Sequence, residues 1–311
     1  MIQRLRSICM VLAFVVGGFF HDAIDDFQIL LPIGIGLMLS ITFVSLDTTR
    51  LKPQRMHLWL MLALQVFALA FWGITRMLGY PILAEGLYYC AAAPIASASP
   101  VIINLLRGDV EFSTTAMVMS QVVFSLVTPF LLPLVVHDPT LSYLEIARQV
   151  AEQIASILLA PALISLVLRR VYPPSIHWGA KLRDFSLGVW IFNLTLISAV
   201  GTTRVLNMGY SWGDMLPMVL GAALVCLTGF IGGYWLGYPK LKRECSQALG
   251  QKNTVLTLFI AGQSFATPLA YVAPVFYVFF HNMANAIQIT LSNREKKSAR
   301  LKKRVSAVRI L

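Results

Sequence analysis

One stretch of the chain combines a glycine, a lysine and several amide or hydroxyl side chains at the start of a long apolar run. It extends from residue 244 to 256 and reads Glu-Cys-Ser-Gln-Ala-Leu-Gly-Gln-Lys-Asn-Thr-Val-Leu. If Gly250, Lys252 and Asn253 lie at membrane depth, they are costly to bury and need a functional reason. If they lie in a loop, Lys252 is one more charge of the basic segment before it. The local sequence leaves both interpretations open.

A second stretch of this kind extends from Cys90 to Pro100 and reads Cys-Ala-Ala-Ala-Pro-Ile-Ala-Ser-Ala-Ser-Pro. Each of its two prolines removes a backbone donor and clashes with the preceding helical turn. Ser97 and Ser99 can serve the freed backbone groups or a ligand. We therefore expect a broken helix here, the alternative being an ordinary kink satisfied by neighbouring side chains.

The composition of the whole chain is that of a membrane protein. Of its 311 residues, 57% are apolar and 13% are charged, whereas soluble domains carry roughly 25% charged residues. The mean hydropathy is +0.72. Four scattered cysteines form no metal-binding or disulfide pattern, and we expect neither a metal nor a cofactor.

Ten apolar segments, most of them near the roughly 20 residues that a helix needs to cross a bilayer, predict an all-α polytopic protein with ten transmembrane helices. They cover residues 7–21, 27–46, 57–77, 84–106, 112–136, 148–170, 184–203, 213–236, 246–268 and 271–292.

The positive charges give an orientation. With both termini in the cytoplasm, 21 of the 25 Lys and Arg residues fall on the cytoplasmic side, as the positive-inside rule requires. We therefore expect a multi-pass protein of the cell (inner) membrane. The basic tail, residues 294–311, is expected to contact anionic lipid heads. This distribution of the net charge of +11 argues against a nucleic-acid partner.

Ten helices divide into two sets of five that cross the membrane in opposite directions, which an inverted repeat requires. The predicted repeats are residues 1–140 and 141–293, followed by the tail. The fourth and ninth segments then correspond, and these contain the two unusual stretches. Helix breakers and polar groups at matching places indicate the binding site of a transporter. The glycines of Gly229-Phe-Ile-Gly-Gly233 predict close helix packing.

Several motifs resemble those of the bile acid:sodium symporter family over nearly the whole chain. Pro94-Ile-Ala-Ser-Ala-Ser-Pro-Val101 and Leu106-Arg-Gly-Asp-Val-Glu-Phe-Ser113 resemble its fourth-helix motif, and Gly250-Gln-Lys-Asn-Thr254 its ninth-helix signature Glu-x-Gly-Met-Gln-Asn-Ser. Three shorter matches are Gln65, Thr128-Pro129 and Phe280-His281-Asn282. The resemblance implies a panel domain and a core domain, two broken helices that cross at the membrane midplane, two sodium ions beside the crossing and an organic anion between the domains.

The chain departs from this family at the sodium ligands that the resemblance implies. Pro100 stands in place of an asparagine and Met117 in place of a hydroxyl residue, beside Ser99 and Ser113. Sodium is a hard cation that needs several oxygens, and both changes remove one. At the other site Ala248 replaces a glutamate and Lys252 a glutamine. The remaining equivalents of the cation sites are Gln65, Gln251 and Asn253.

These departures suggest that Lys252 replaces a sodium ion. Its ammonium is a compact cation with three donors, which could bond Gln65, Asn253 and carbonyls of the broken helix. Burial lowers the pKa of a lysine, so gain and loss of its proton could couple transport to a proton gradient. The alternatives are a permanently charged lysine with uncoupled transport or exchange.

The predicted function is secondary active transport of a small organic anion, a carboxylate or a bile-acid-like molecule, by alternating access without sodium. The expected substrate-binding residues are Ser97, Ser99, Asn253, Thr254, Asn193, His281 and Asn282. Asn193 either faces the cleft or bonds a neighbouring helix. Alternatives are a non-transporting sensor or scaffold, and a sodium-coupled symporter with altered ion sites. The spans contain no constellation typical of an intramembrane enzyme, because almost every Asp and Glu is expected at a loop.

Overall fold

The structure, a computed structural model, describes residues 2–27, 29–136, 142–207, 209–264 and 267–308. Helices account for most of these residues, and the part described contains no strand. The helices are α1 (Ile2–Phe19), α2 (His21–Asp25), α3 (Leu30–Val44), α4 (Arg55–Met77), α5 (Pro81–Ala92), α6 (Ser99–Leu106), α7 (Val110–Val135), α8 (Tyr143–Ile154), α9 (Ala160–Val171), α10 (Trp178–Lys181), α11 (Arg183–Asn207), α12 (Trp212–Leu236), α13 (Lys242–Gly250), α14 (Thr254–Ser264) and α15 (Val272–Val308). A π-helical turn, Ala155–Leu159, joins α8 to α9.

Each of the ten apolar segments coincides with one helix or with a pair of consecutive helices. Within the described ranges, five helical stretches are long and apolar enough to cross a membrane: α4, α7, α8 with α9, α11 and α12. Helix α3 is apolar but shorter. The chain is thus an all-helical, multi-pass membrane protein.

Both stretches that contain breakers interrupt a helix. Helix α5 ends at Ala92, two residues before Pro94, because the proline ring excludes the helical conformation of the residue before it. Helix α6 begins at Ser99 with Pro100 in its first turn, where a missing N–H costs nothing. In the second half, α13 ends at Gly250 and α14 begins at Thr254.

Two clusters contain most of the buried apolar side chains in the described part of the chain. The larger one joins α5, α7, α12, α14 and α15 and contains the buried rings of Tyr88, Tyr89 and Tyr277. The smaller one joins α4, α7 and α13 and contains Leu64, Met117 and Ala248. Helix α6 packs separately, in a small cluster in which Ile103 lies with Ile289 of α15.

Glu85 departs from the expectation that almost every Asp and Glu lies at a loop. It lies inside α5 with 3% of its surface exposed, where Thr267 donates two hydrogen bonds to its carboxylate. The predicted boundary between repeats, at residue 140, lies outside the described residues.

Candidate functional site

The two interrupted helices meet at their breaks. Ile95 and Lys252 form an isolated antiparallel bridge. The Asn253 N–H donates to the Pro94 carbonyl at 2.7 Å, and the Ala96 N–H donates to the Gln251 carbonyl at 3.0 Å. Backbone groups that lack helical partners at the two breaks thus form hydrogen bonds with one another. These bonds hold the two breaks together.

Side chains of two further helices support this crossing. On α7, Ser120 Oγ accepts from the Ile95 N–H at 3.0 Å and Gln121 Nε2 donates to the Ile95 carbonyl at 3.4 Å. On α15, the Tyr277 hydroxyl donates to the Gly250 carbonyl at 2.9 Å. Sequence analysis missed all three residues. Their only signal was a polar group within an apolar segment.

Lys252 lies inside the protein and not in a surface loop. Only 1% of its surface is exposed. Its Nζ atom has no hydrogen-bond partner among the described residues, and Gln65 and Asn253 therefore do not bond it as expected. The structure thus places a lysine side chain at the crossing with no hydrogen-bond partner among the described residues for its Nζ atom.

A cavity of about 300 Å³ adjoins the crossing. Helices α3, α6, α11 and α15 and the second break contribute most of its wall. Apolar residues dominate, and the polar residues that line it are Ser97, Ser186, Gln251, Lys252, Asn253, Thr254, His281, Asn282 and Asn285. Among the described lining residues Lys252 is the sole one with a charged side chain. Such a wall suits a small, partly apolar anion.

The lining of the cavity includes Leu105, which lies near the end of α6 and is 40% exposed. It also includes Ser186, near the start of α11. The buried residues Tyr88, Tyr89 and Tyr271 belong to the larger core cluster and are not part of the cavity wall.

The positions that the resemblance assigns to the first sodium site include two neighbouring hydroxyl groups. Ser99 and Ser113 are buried, and their hydroxyl oxygens are 3.4 Å apart. Met117 packs in the smaller apolar cluster, and Pro100 is half-buried. Two hydroxyl groups remain here, and neither replaced side chain supplies an oxygen.

At the second sodium site the equivalents surround the crossing. Ala248 belongs to the smaller apolar cluster, and Gln65 is half-buried on α4, away from the cavity wall. Gln251 and Asn253 flank Lys252 and use their backbone groups in the crossing. The buried Gln251 Oε1 has no partner in the described part of the chain.

Five of the seven expected substrate-binding residues line the cavity, namely Ser97, Asn253, Thr254, His281 and Asn282. Ser99 and Asn193 do not. Asn193 is fully buried on α11, where its Nδ2 contacts Met38 Sδ of α3 at 3.7 Å. Of the two interpretations for Asn193, the structure shows the contact with a neighbouring helix.

Two buried glutamates connect the outer ends of the interrupted helices. On α5, Glu85 accepts from the Thr267 N–H at 3.2 Å and from its hydroxyl at 3.0 Å. On α13, Glu244 accepts from the Asp109 N–H. Glu85 and Glu244 lie near the starts of α5 and α13, the first halves of the two interrupted helices. Their donors, Thr267 and Asp109, lie three residues beyond the ends of α14 and α6, the second halves. No local pattern in the sequence indicates these contacts, which join residues 182 and 135 positions apart.

Comparison with known proteins agrees with this geometry. Two curated relatives are named "Probable sodium/metabolite cotransporter BASS1, chloroplastic". The one from Oryza sativa subsp. japonica is 24% identical over 245 residues, which cover 76% of this chain and 58% of the relative. The one from Arabidopsis thaliana is 25% identical over 254 residues, covering 76% and 59%. The chain thus spans less than two thirds of the length of these relatives.

A model of the sodium bile acid symporter family matches residues 28–208, more than half of the chain. The match includes the first interrupted helix and the positions of the Ser99 and Ser113 hydroxyls. Families of this kind contain membrane transporters and not enzymes. On the fold, the crossing and this match, the chain belongs to the sodium bile acid symporter family.

Proposed function

We propose that the protein is a secondary active transporter of a small organic anion, in which Lys252 occupies the place of a sodium ion. The anion, a carboxylate, binds in the cavity beside the crossing and crosses the membrane by alternating access. Transport does not require sodium. If Lys252 releases and rebinds a proton during the cycle, transport is coupled to a proton gradient.

The main support for this proposal is the position of Lys252 at the crossing. Lys252 is buried in the wall of the cavity, and no acidic side chain is among the described lining residues. A cation without a counter-ion in a membrane-embedded site is costly unless something anionic offsets it. A substrate carboxylate supplies that charge in each transport cycle.

The paired architecture supports alternating access. We propose ten spans in two inverted repeats, residues 1–140 and 141–293, with panel and core domains. The helix breaks in both halves and the matching contacts of Glu85 and Glu244 are what such a repeat predicts. A rocking or sliding movement of the core against the panel would then expose the crossing to each side in turn.

The orientation follows from charge. With the basic loops in the cytoplasm of the cell (inner) membrane, we propose that the cavity opens inward. Its lining residues Leu105, near the end of α6, and Ser186, near the start of α11, lie close in sequence to those loops. The basic tail beyond residue 293 would lie against anionic lipid heads.

The decisive experiment is uptake into proteoliposomes with the sodium and proton gradients set independently. A panel of labelled small carboxylates serves as substrate. We expect sodium-independent uptake by the wild type and a loss of about tenfold or more in Lys252→Gln and Lys252→Ala, the effect of removing a contact to a charged group. Lys240→Ala, at an exposed loop lysine, is the matched control and should transport normally.

The dependence of uptake on pH distinguishes proton-coupled transport from transport in which Lys252 keeps its charge. Proton coupling predicts uptake driven by a pH gradient in the wild type and no such drive in Lys252→Gln. Uptake that is unchanged in both variants, at every pH and sodium concentration, contradicts the role of Lys252. The double variant Ala248→Glu with Lys252→Gln restores the family pattern at this site and is expected to make uptake sodium-dependent.

A sodium-coupled symporter is the second candidate. It is favoured by the Ser99 and Ser113 hydroxyls, 3.4 Å apart, and by the names of the two relatives. Sodium-dependent uptake by the wild type, abolished in Ser113→Ala, would select it. A non-transporting sensor on the same fold would bind the anion in detergent and give no uptake.

A further inference from the structure

A cluster of three amide side chains lies between α13 and α15. Gln247 is fully buried on α13. Its Nε2 donates to Asn285 Oδ1 at 3.0 Å and to Gln288 Oε1 at 2.8 Å. Neither the resemblance described above nor the sodium-site equivalents include any of these residues.

The hydrogen bonds of this cluster leave two amide atoms unpaired. Gln247 Oε1 and Asn285 Nδ2 are both buried without a partner among the described residues. Of the two residues, only Asn285 lines the cavity. A hydroxyl group can pair with the Asn285 amide, because its oxygen accepts a hydrogen bond.

Asn285 connects this cluster to the cavity. It is 4% exposed and forms part of the cavity wall, one helical turn from His281. Lys252 belongs to the same wall. The hydrogen bond from Gln247 Nε2 to Asn285 Oδ1 assigns the orientation of the Asn285 amide, and this leaves its nitrogen unpaired. The cavity wall thus combines a lysine at the crossing with an asparagine of α15 whose nitrogen has no partner among the described residues.

We propose that Asn285, positioned by Gln247, determines substrate specificity by binding a hydroxyl group of the transported anion. The substrate class is then a small hydroxycarboxylate, and an apolar monocarboxylate or a fused-ring acid without a hydroxyl at this position is disfavoured. The inference rests on the proposed function, since it assigns the second polar group of the same substrate. A ligand without the hydroxyl leaves the buried Asn285 amide unpaired, and the free-energy cost of this disfavours its binding.

The test compares pentanoate with its derivatives that carry a hydroxyl on the second, third or fourth carbon atom. Binding to the purified full-length chain in lipid nanodiscs is measured by isothermal titration calorimetry. We expect at least one hydroxy derivative to bind the wild type about tenfold more tightly than pentanoate, the effect of one hydrogen bond to an otherwise unpaired group.

In Asn285→Ala that preference should disappear, so that the hydroxy derivatives bind no more tightly than pentanoate. The matched control is Thr290→Ala, which removes a hydroxyl that bonds only within α15, to the Ala286 carbonyl, and should keep the preference. Lys252→Gln should weaken the binding of all four acids by a similar factor, because the carboxylate is common to them.

The outcomes are distinct. If the wild type binds pentanoate and none of the hydroxy derivatives binds more tightly, this inference is overturned and the proposed function stands. This comparison uses the wild type alone and does not depend on the folding of any variant. A preference that survives in Asn285→Ala also overturns it. If none of the four acids binds, the proposed function itself fails, and the inference fails with it.

Discussion

At the scale of single residues, the burial of Lys252 is the most informative feature. Its ammonium has no hydrogen-bond partner among the described residues, and only 1% of the residue is exposed. Burying an unpaired polar group costs free energy in any folded state. A protein that keeps such a group has a use for it, and here the proposed use is to offset the charge of an anion.

This view predicts opposite effects of one substitution on stability and on transport. Lys252→Met keeps the length and removes the charge, so we expect the free energy of unfolding to rise by about 1–3 kcal/mol. Thermal unfolding in the same detergent, with Lys240→Met as the control, measures it. A lower melting temperature in Lys252→Met would mean that the lysine holds the crossing together, contrary to our proposal.

At the scale of elements, α12 and α13 pack closely enough for backbone contact. A Cβ atom on Gly229 would lie 2.8 Å from the Leu249 carbonyl oxygen, and one on Gly233 would lie 2.7 Å from Ser246 Cα. The prediction from Gly229 to Gly233 of close helix packing is confirmed. This contact fixes the position of α13, and with it one side of the crossing.

Two adjacent glycines of α12 allow a matched test. Gly233→Ala forces the two backbones apart, so we expect a loss of about 1–3 kcal/mol of stability and weaker transport. Gly232→Ala meets nothing within 4 Å and should be neutral or slightly stabilising. The midpoint of thermal unfolding of each variant measures the difference, and equal midpoints would exclude a packing role for Gly233.

At the scale of the whole molecule, the contacts of the interrupted helices indicate which part of the proposed transporter moves as a unit. Glu85 and Glu244 tie the outer ends of the interrupted helices, so the crossing and its helices should move together as one body. Movement is then expected between this body and the remaining helices and not within it.

Cysteine labelling tests which side is open. In a Cys9→Ser background, a membrane-impermeant maleimide should modify Ala98→Cys, at an exposed position on the cavity wall, only from the side of the basic loops. Ala261→Cys, 1% exposed on α14, is the control and should react from neither side. Reaction of Ala98→Cys only from the opposite side would reverse the proposed orientation. A substrate that fills the cavity should slow the labelling.

Much of the architecture was predictable from the sequence because it depends on local properties. The ten apolar segments all coincide with helices, since hydropathy and length suffice to place them. Both helix breaks were predictable because Pro94 and Pro100 in one half, and the glycine and polar groups in the other, disfavour a continuous helix. The glycines of α12 indicated their packing for the same reason, since a missing side chain is visible in the sequence itself.

The sequence by itself thus determined where the helices lie and where they break. Only the tertiary structure decided that Lys252 is buried, because the same residues could equally continue the basic loop before them. It also supplied the contacts of Glu85, Glu244 and the Gln247–Asn285 pair. Partners separated by 38 to 182 residues along the chain leave no local pattern. Whether a polar side chain at such a position is paired depends on which distant segment the fold brings against it.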